Sequence, residues 1–487
     1  MINWNILINQ STVATVLPSE YAQYARPVSD ALVLFLNGLP TARQSTIFEE
    51  QANLPPTTTT SERISLLARG CPALQKLGQV IARDQSILPE LRRHLQELES
   101  LPPSVPMETI KTELANELGS LESLGISLAE NPIAEASVAV VIPFHSSNQT
   151  TEGVFKILKP EIEERLDEDL ASFEQIGAYL DQRCDELHIP KFDYQEAFEQ
   201  VRDKLRHEVR LDLEQHNLTA AKGFYAHEPQ VQIPAVLDHC TPRVTAMERV
   251  MGVKITDHDR TCLATKSHIA ELVSKALIAD PVFRKASPSV FHADPHAGNL
   301  FLTPDNRLAI LDWSLIGSLG ERERVCMTQV LLGTLTRNPI RIRTALQGLG
   351  DQDRLDRAAL GEIVSKCLNE TKPGSFPGFA RVMGMIDQAV RQAKLRVGAD
   401  LLLFRKTTFT LNGVLADIGS GENPTNKVLL REFVEHFARE LPNRWFALPN
   451  SRDFATRLSN MDITELLLSV PWTAMEFWLE GLGGSEH

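Results

Sequence analysis

The sequence predicts an α+β fold of two lobes, one small and rich in strands and one larger and mainly helical, preceded by a helical extension. At 487 residues the chain exceeds what one compact core usually holds, so at least two lobes are expected. Strand-like runs are concentrated at 136–142, 153–158 and 232–248, whereas apolar residues recur at helical spacing before and after them. Segregation of strands from helices is typical of the α+β class.

Proline-rich loops and changes of periodicity divide the chain into predicted segments. One apolar helical stretch is expected at 30–36, a longer helical pattern runs over 61–101, and helices are predicted over most of 161–222. Beyond residue 252 only 300–302 and 308–311 are predicted as strands. The predicted boundaries are 1–60 for an N-terminal helical segment, 61–124 for the helical extension, 125–252 for the small lobe, 253–424 for the large lobe and 425–487 for a C-terminal helical tail.

Charge and composition exclude several classes of function. The formal net charge is −14, and residues 161–214 contain 17 acidic residues against 7 basic ones. A protein that binds a phosphate backbone needs a basic face, so no nucleic-acid partner is predicted. The acidic run is read as the solvated face of helices.

Cysteine usage and the N-terminal residues predict a cytoplasmic protein. Six cysteines are scattered without a C-x-x-C pair, which argues against a zinc site or a disulfide framework and suits a reducing compartment. The first residues lack the basic and apolar regions of a signal peptide, and no apolar run reaches the ~18 residues that span a bilayer. A peripheral membrane contact stays open.

One loop carries the residues of phosphoryl-transfer chemistry. It reads His292-Ala293-Asp294-Pro295-His296-Ala297-Gly298-Asn299, and Asp312 is the thirteenth residue after Asn299. Phosphoryl transfer needs a carboxylate to orient the acceptor hydroxyl, and then an amide oxygen and a second carboxylate on Mg²⁺. Protein kinases carry this set as H-R-D-x-x-x-x-N followed by D-F-G, with the same interval from aspartate to asparagine. The sequence therefore predicts a protein-kinase-like fold that binds a nucleotide.

The spacing of this loop also predicts a metal site. The two short strands place Asn299 and Asp312 at opposite ends of a hairpin, so that both can reach one ion. His292 and His296 are four residues apart and could instead be metal ligands on one helical face. Pro295 and Gly298 would break such a helix, so His292 is expected to pack under the loop, and His296 could bond a neighbouring carboxylate.

A kinase-type site further requires a cation for the α- and β-phosphates and a carboxylate that holds it. Lys156 lies in the strand-like run Val154-Phe155-Lys156-Ile157 and fits the first role, although an edge-strand lysine facing water is the alternative. Glu208 and Glu214 are the candidate partners, on a helix predicted to begin near Tyr194. Six residues apart, they lie on different faces of an ideal helix, and either could be a surface acid.

These motifs together resemble those of the UbiB/AarF/ADCK family of atypical kinases. Lys76-Leu77-Gly78-Gln79 matches its K-x-G-Q motif, and 132–139 resembles its alanine-rich loop. Residues 208–217 align with its E-x-D signature, and 245–252 resemble its t-x-x-M-E piece. The histidine–aspartate loop matches at seven of eight positions. The resemblance covers about residues 69–320, with the motifs in the family's order.

The resemblance implies a function and a set of residue roles. It implies an ATPase or a phosphotransferase acting on small molecules or lipids, which binds Mg²⁺ with ATP or ADP and supports isoprenoid quinone (ubiquinone) or other prenyl-lipid metabolism. The implied partners are a prenyl lipid or quinone-biosynthesis proteins. The implied catalytic residues are Asp294, Lys76 and Gln79, the nucleotide-binding residues are Lys156, Glu214, Glu208, Ala134, Ala136, Ser137, Met247 and Glu248, and the metal ligands are Asn299 and Asp312.

Three departures from the family pattern bear on turnover. Arg210 replaces the aspartate of E-x-D, which could alter the contact of that element with Lys76. Glu135 places a carboxylate in the alanine-rich loop, which is unfavourable near phosphates without a compensating cation. Trp313-Ser314 replaces Phe-Gly after the metal aspartate.

Two other functions compete. One is an aminoglycoside- or choline-kinase-like phosphotransferase, which shares the loop and often has Asp-Trp at the second metal aspartate but lacks the K-x-G-Q motif. The other is a pseudokinase scaffold that binds nucleotide without turnover. The apolar, aromatic tail at 463–479 either lies at a membrane interface or packs against the kinase core.

Overall fold

Helices make up most of the structure, a computed structural model that describes residues 2–82, 87–98, 105–147, 152–191, 193–257, 263–285, 287–370, 378–419, 421 and 423–468. The helices are α1 (Gln10–Ala14), α2 (Ala25–Gly38), α3 (Thr41–Ala52), α4 (Thr60–Arg69), α5 (Pro72–Ile81), α6 (Pro89–Glu97), α7 (Met107–Leu118), α8 (Ile162–Leu170), α9 (Phe173–Gln182), α10 (Cys184–Leu187), α11 (Tyr194–His207), α12 (Leu211–Phe224), α13 (Leu263–Ser274), α14 (Asp280–Phe283), α15 (Glu321–Leu335), α16 (Pro339–Gly348), α17 (Arg357–Glu370), α18 (Phe379–Arg391), α19 (Ala399–Ile418) and α20 (Thr425–Arg444). Residues 460–468 are also helical.

The strands are short and form four small sheets. They are β1 (Ile126–Leu128), β2 (Ala134–Glu135), β3 (Ala139–Ser146), β4 (Gly153–Leu158), β5 (Val231–Gln232), β6 (Val244–Glu248), β7 (Val253–Lys254), β8 (Ser289–His292), β9 (Leu300–Leu302), β10 (Leu308–Ile310), β11 (Ile316–Leu319), β12 (Gly350–Asp351) and β13 (Arg396–Val397). A π-helix at Lys275–Ala279 follows α13. This content confirms the predicted α+β class.

Two compact units divide the chain. The first comprises Met1–His216 and Pro234–Arg249, and the second comprises Asn217–Ile233 and Val250–His487, so that the boundary falls within α12. Of the predicted tail, 469–487 lie outside the described residues. Among the described residues, no helix is both long and apolar enough to cross a membrane.

The first unit is built around a five-stranded antiparallel sheet. Its strand order is β1-β3-β4-β6, and β2 pairs with β3. Phe144 and Phe155 stack in its core with ring centroids 4.1 Å apart, and Ile110 and Leu114 of α7 belong to the same apolar cluster. The sheet therefore holds β4 in a central position between two strands.

The helical extension differs from the prediction. The single pattern over 61–101 is resolved into α4, α5 and α6, and the apolar stretch at 30–36 lies inside α2, which is followed by the separate helix α3. Gly70 ends α4 and Pro72 begins α5, which is the position where proline is tolerated because its missing N–H would be unpaired anyway. Periodicity alone did not register this break.

The strands of the second unit are only two to four residues long. Its four-stranded sheet has the order β5-β10-β9-β7, and β8 pairs with β11. The predicted hairpin at 300–311 is therefore present. The predicted closing piece 232–237 is divided between the units. Gln232 pairs in parallel with β10 of the second unit, whereas residues 234–237 belong to the first unit, where Val236 forms a bridge with Met247 of β6. The prediction also missed β7, β8, β11, β12 and β13, since strands of two to four residues carry little periodic signal.

Candidate functional site

Lys156 and Glu214 form a buried ion pair in the first unit. The Lys156 Nζ lies 2.7 Å from each carboxylate oxygen of Glu214. The side chains are 11% and 5% exposed, respectively. Lys156 lies opposite Val141 of β3 and Thr245 of β6, so the alternative of an edge-strand lysine facing water is wrong. A buried, carboxylate-held ammonium on a central strand is the arrangement by which kinases present a cation to phosphates.

Glu214 is held in place by the anchoring of α12 to β6. The Leu211 N–H donates to the carbonyl oxygen of Pro242 at 3.2 Å. The Gln215 amide donates to the carbonyl oxygens of Thr241 and Val244 and to the Thr245 hydroxyl. These bonds fix the first turn of α12 beside the strand that pairs with β4. Gln215 is a positioning residue that the sequence reading missed, although it directly follows the predicted carboxylate.

Glu208 and Glu214 do not share a helix, contrary to the prediction. Glu208 is the C-terminal cap of α11, and α12 begins three residues later. The break directs Glu208 to Lys76 of α5, with 2.8 Å between the Nζ and the carboxylate. Arg210, which replaces the family's aspartate, pairs with Asp212 at the surface. Lys76 is therefore paired with Glu208 even though Arg210 replaces the family's aspartate.

The helix that carries Lys76 and Gln79 is fixed at both ends. At its start, the Asp169 carboxylate accepts the Ala73 N–H at 2.9 Å and receives Arg43 at 2.7 Å. Burial raises the pKa of Asp169 to about 6, although Arg43 and the Ala73 N–H oppose that shift. Toward its end, the Gln79 amide donates to the Leu98 carbonyl oxygen at 3.3 Å. Gln79 is thus engaged with the extension itself.

The small-residue loop is a tight turn between β2 and β3. The Ala136 N–H donates to the Ala139 carbonyl oxygen at 2.8 Å, Ala134 and Ala136 are exposed, and Ser137 is buried. Glu135 points inward, where its carboxylate meets the Lys159 Nζ at 2.7 Å with only 2% of the side chain exposed. Lys159 therefore supplies the compensating cation that the sequence reading required but did not identify.

Met247 and Glu248 lie at the end of β6. Met247 is in register with Val154 of β4. The Glu248 N–H donates to the Ala235 carbonyl oxygen at 2.8 Å, and its carboxylate accepts the Ala235 N–H at 3.2 Å. Both side chains are half-buried. Both of these Glu248 hydrogen bonds are thus to the backbone of Ala235.

In the second unit, His292 braces the loop that contains Asp294. Its Nε2 lies 3.0 Å from the Leu311 carbonyl oxygen and 2.9 Å from that of Asp312, and its Nδ1 accepts the Asp294 N–H at 3.1 Å. Two carbonyl acceptors require a proton on Nε2, and the Asp294 N–H requires a lone pair on Nδ1, so the ring is neutral. Burial lowers the pKa of His292, which agrees with that state. The expected buried, satisfied histidine is present.

Asn299 and Asp312 flank the β9–β10 hairpin. Leu300 pairs with Ile310, and the Leu311 N–H donates to the Asn299 carbonyl oxygen at 2.8 Å. Asn299 directly precedes β9, and Asp312 lies two residues after β10. Both predicted ligands therefore lie at the same open end of the hairpin rather than at opposite ends. The Asn299 amide nitrogen donates to the Asp294 carbonyl oxygen at 3.2 Å, which leaves its side-chain oxygen as the acceptor.

The backbone at Asp312 is strained. Its φ is +54°, a left-handed conformation that costs free energy for any residue other than glycine. The Asp312 carboxylate accepts the Ser314 N–H at 3.3 Å. Trp313 is fully buried, with its indole N–H on the Ile310 carbonyl oxygen and its own carbonyl oxygen accepting from Asn217. These contacts of Trp313 fix the segment after Asp312, in which the family has a more flexible Phe-Gly pair.

This set fits magnesium better than zinc. His296 accepts the Gly298 N–H at 3.1 Å and caps a short 3₁₀ turn, so the reading of His292 and His296 as paired metal ligands fails. Among the described residues, no group of three or more histidine, cysteine, aspartate or glutamate side chains could hold a metal. One amide oxygen and one carboxylate suit Mg²⁺, which usually keeps several waters and completes its shell with substrate phosphates.

The structure thus assembles the predicted residues in groups. Lys156 meets Glu214, Lys76 meets Glu208, and Asp294 is tied to Asn299. Thr407 of α19, which the sequence reading missed, donates to the Ala293 carbonyl oxygen at 3.2 Å and anchors the Asp294 loop from a distant helix. Thr407 is one of three threonines in this helix, and nothing in the local sequence marks it for such a role.

A family profile and several known proteins are similar to this chain. The sequence profile of the ABC1 atypical kinase-like domain matches residues 97–346, just over half of the chain. An uncharacterized chloroplastic aarF domain-containing protein kinase of Arabidopsis thaliana is 30% identical over 303 residues, which are 60% of this chain and 54% of that protein. A probable protein kinase UbiB of Shewanella sp. (strain MR-4) is 26% identical over 364 residues, 70% of this chain and 64% of that protein.

Two further similarities extend the comparison. A probable protein kinase UbiB of Xanthomonas oryzae pv. oryzae (strain MAFF 311018) is 24% identical over 402 residues, 76% of this chain and 70% of that protein. A Mycobacterium tuberculosis protein, solved in complex with erythromycin, superposes with a TM-score of 0.51 at 20% identity, over 77% of this chain and 93% of that one. The chain spans less than two thirds of the length of the first two relatives, and the solved structure confirms the fold alone.

Proposed function

Because the chain belongs to the ABC1 atypical kinase-like family, we propose that it binds ATP with Mg²⁺ and acts as an ATPase or as a phosphotransferase on a small molecule or lipid. The observation that carries the proposal is the buried pair of Lys156 and Glu214. Burying an ammonium and a carboxylate costs more than a surface pair returns, so a site that keeps both has a use for the charge.

Each residue has a role in this proposal. Lys156 binds the α- and β-phosphates, and Glu214 orients it. The Asn299 amide oxygen and the Asp312 carboxylate would hold Mg²⁺, which neutralises phosphate charge when bound. Asp294 orients the attacking hydroxyl or water, and His292 keeps the Asp294 backbone and the Asp312 backbone in register.

The extension that carries Lys76 and Gln79 supports a restricted acceptor. Lys76 is bound to Glu208, and Gln79 is bound to the Leu98 carbonyl oxygen, so α5 is fixed to both the extension and the end of α11. A rigid added helix fits a site that acts on a small molecule or a lipid, which is the substrate class that the family resemblance implies. The finer proposal is therefore that the activity supports isoprenoid quinone or other prenyl-lipid metabolism.

Nucleotide binding is tested by thermal denaturation with and without Mg²⁺-ATP and Mg²⁺-ADP. A ligand that binds only the folded state raises the free energy of unfolding by RT ln(1 + [L]/Kd), and the melting temperature rises with it. The proposal expects an increase with both nucleotides that Lys156→Ala diminishes. The absence of any nucleotide-dependent shift would overturn it.

The biological role requires a separate comparison. Lipid extracts of a strain that lacks the gene and of its parent are expected to differ in quinones or other prenyl lipids, and the wild-type gene should restore the parental pattern. Identical extracts would remove the prenyl-lipid assignment while leaving the nucleotide site intact.

A further inference from the structure

A small cavity lies among the N-terminal helices of the first unit. Its walls come from the 3₁₀ turn Trp4–Ile6, the two residues after it, and helices α1 to α4. The volume of the cavity is about 50 Å³, which is room for only about three to five water-sized groups. Cavities that stay empty are apolar, so the polar side chains in this one need an explanation.

Most of the cavity wall is aliphatic. Val13 of α1 and Leu67 of α4 are buried, whereas Leu32 of α2 and Ile64 of α4 are half-buried. The cavity therefore has a buried floor and a rim that reaches the protein surface. An aliphatic wall of this kind favours a ligand that has an apolar body.

The indole N–H of Trp4 lacks an acceptor among the described residues. Trp4 lines the cavity and is 1% exposed, and its Nε1 is buried. The residue is held in place, because its ring packs edge-on against Phe48 with centroids 5.8 Å apart. Its carbonyl oxygen accepts the N–H groups of Leu7 and Ile8 at 2.9 and 2.8 Å. A buried donor without a bond costs free energy, and an acceptor in the cavity would remove that cost.

Arg63 of α4 brings a positive charge to the same cavity. Its guanidinium donates to the carbonyl oxygen of Gln51 at 3.0 Å and to that of Pro55 at 3.4 Å. The Gln51 amide donates back to the Arg63 carbonyl oxygen at 3.2 Å, so α3 and α4 hold the arginine in place. Both of these guanidinium partners are neutral carbonyl groups, so the charge of Arg63 can still attract an anion.

Trp4 and Arg63 select the chemistry of a ligand. An indole N–H and a guanidinium have only donors, so the ligand has to supply the acceptors. A carboxylate supplies two acceptor oxygens and a charge opposite to that of Arg63. A space of this size is only a few ångströms across, so a carboxylate inside it lies close to more than one wall.

We propose that this cavity binds a short aliphatic carboxylate of the size of acetate or propionate. The carboxylate oxygens accept from the Trp4 indole N–H and pair with Arg63, and the alkyl group packs against Val13 and Leu67. A ligand with so few atoms should bind in about the millimolar range. The residues that line the cavity are not those of the proposed nucleotide site, so the two sites can be tested separately.

Nuclear magnetic resonance of the full chain, with tryptophan labelled at the indole nitrogen, tests this binding. The chain has five tryptophans, and the Trp4 signal is the one that is absent from Trp4→Phe. Sodium propionate should move this signal saturably, with the proton shifting downfield as the N–H gains an acceptor. Sodium chloride at the same ionic strength should leave it in place. Propionamide has the shape of propionate without its charge and should bind at least about tenfold more weakly.

Variants of the cavity test its charge and its space separately. Arg63→Gln removes the charge and should weaken propionate binding at least about tenfold. Arg69→Gln is the matched control, since Arg69 is exposed at the end of the same helix, and it should bind propionate like the wild type. Val13→Ile adds a methyl group to the wall of this small cavity, so it should abolish binding without lowering the melting temperature.

Three results would overturn the proposal. A Trp4 signal that responds to propionate no more than to chloride would show that the cavity takes no carboxylate. Equal affinities for propionate and propionamide would show that Arg63 does not select a charge. Binding that survives unchanged in Val13→Ile would place the ligand outside this cavity.

Discussion

The ammonium of Lys156 and the carboxylate of Glu214, 58 residues apart in the chain, lie 2.7 Å apart inside the first unit. β4 supplies the cation from the middle of the sheet, and α12 supplies the anion from a turn anchored to β6. Both residues, and the first turn of α12 that carries Glu214, belong to the first unit.

The stability and the binding role of this pair can be separated by mutation. Lys156→Met removes the cation that faces the buried Glu214 carboxylate and should lower the free energy of unfolding by about 3–5 kcal/mol. Lys156→Met with Glu214→Leu replaces both charges by apolar groups and should recover most of that loss. Both variants should lose Mg²⁺-ATP affinity in calorimetric titrations, because the cation is absent from each.

Lys111→Met is the matched control for this prediction. Lys111 also pairs with a glutamate, Glu108, but its side chain is 51% exposed. Its replacement should change neither stability nor affinity measurably. Retained nucleotide affinity in the double variant would remove Lys156 from the site.

Mutations of the two residues in the Glu135–Lys159 pair should have opposite effects on Mg²⁺-ATP affinity. Lys159→Met removes the cation from the buried Glu135 carboxylate, which still accepts the Val105 N–H at 3.3 Å. Stability should therefore fall by up to about 3 kcal/mol and Mg²⁺-ATP affinity should fall several-fold. Glu135→Ala removes the carboxylate and should raise the affinity. The combination of the two should restore stability relative to Lys159→Met. Affinities that do not respond to either change would place this loop away from the phosphates.

Asp169 predicts a pH dependence of stability. Burial raises its pKa to about 6 in the folded protein, against an ordinary value of 3.8. The folded state therefore takes up this proton before the unfolded state does as the pH falls, so the group favours folding increasingly from about pH 6 down to about pH 4.

The sign of this effect is tested with Asp169→Asn, which keeps an acceptor for the Ala73 N–H. Urea denaturation at pH 7 and pH 5 should show the wild type gaining about 1.4 kcal/mol relative to the variant at the lower pH. A difference that stays constant, or that changes in favour of the variant, would show that Arg43 keeps the carboxylate ionised throughout.

The residues of the candidate site were easier to predict from the sequence than the contacts between them. Asp294, Asn299 and Asp312 followed from spacing, because the motif is local and the two short strands have clear apolar runs. The pairing of Lys156 could not be chosen from sequence, because residues 206–214 contain no proline or glycine to mark the break between α11 and α12. That break depends on Leu211 bonding to Pro242, a contact between residues distant in the chain.

In the fold, too, elements with a strong local sequence pattern were predictable, whereas elements defined by distant partners were not. The longest strands of the first unit were predictable from β-branched runs, and their partners followed from the connecting loops. β8 and β11 were not predictable, because each has four residues and is defined by its partner. The pairing of Lys159 with Glu135 was equally unpredictable. Glu135 lies on β2 and Lys159 follows β4, so only the folded sheet brings the two together.

We propose that this chain hydrolyses or transfers the terminal phosphate of ATP through a metal site at the open end of the β9–β10 hairpin. Phosphate release with Mg²⁺-ATP tests it in Asp312→Asn and in Asp305→Asn. Asp305 lies at the closed end of the same hairpin and pairs with Arg307 at the surface, so it is a matched control. We predict that Asp312→Asn loses at least about 100-fold in rate, roughly 2.7 kcal/mol, and that Asp305→Asn turns over like the wild type. Equal rates in the wild type and Asp312→Asn, or nucleotide binding without any turnover in the wild type, would contradict the claim.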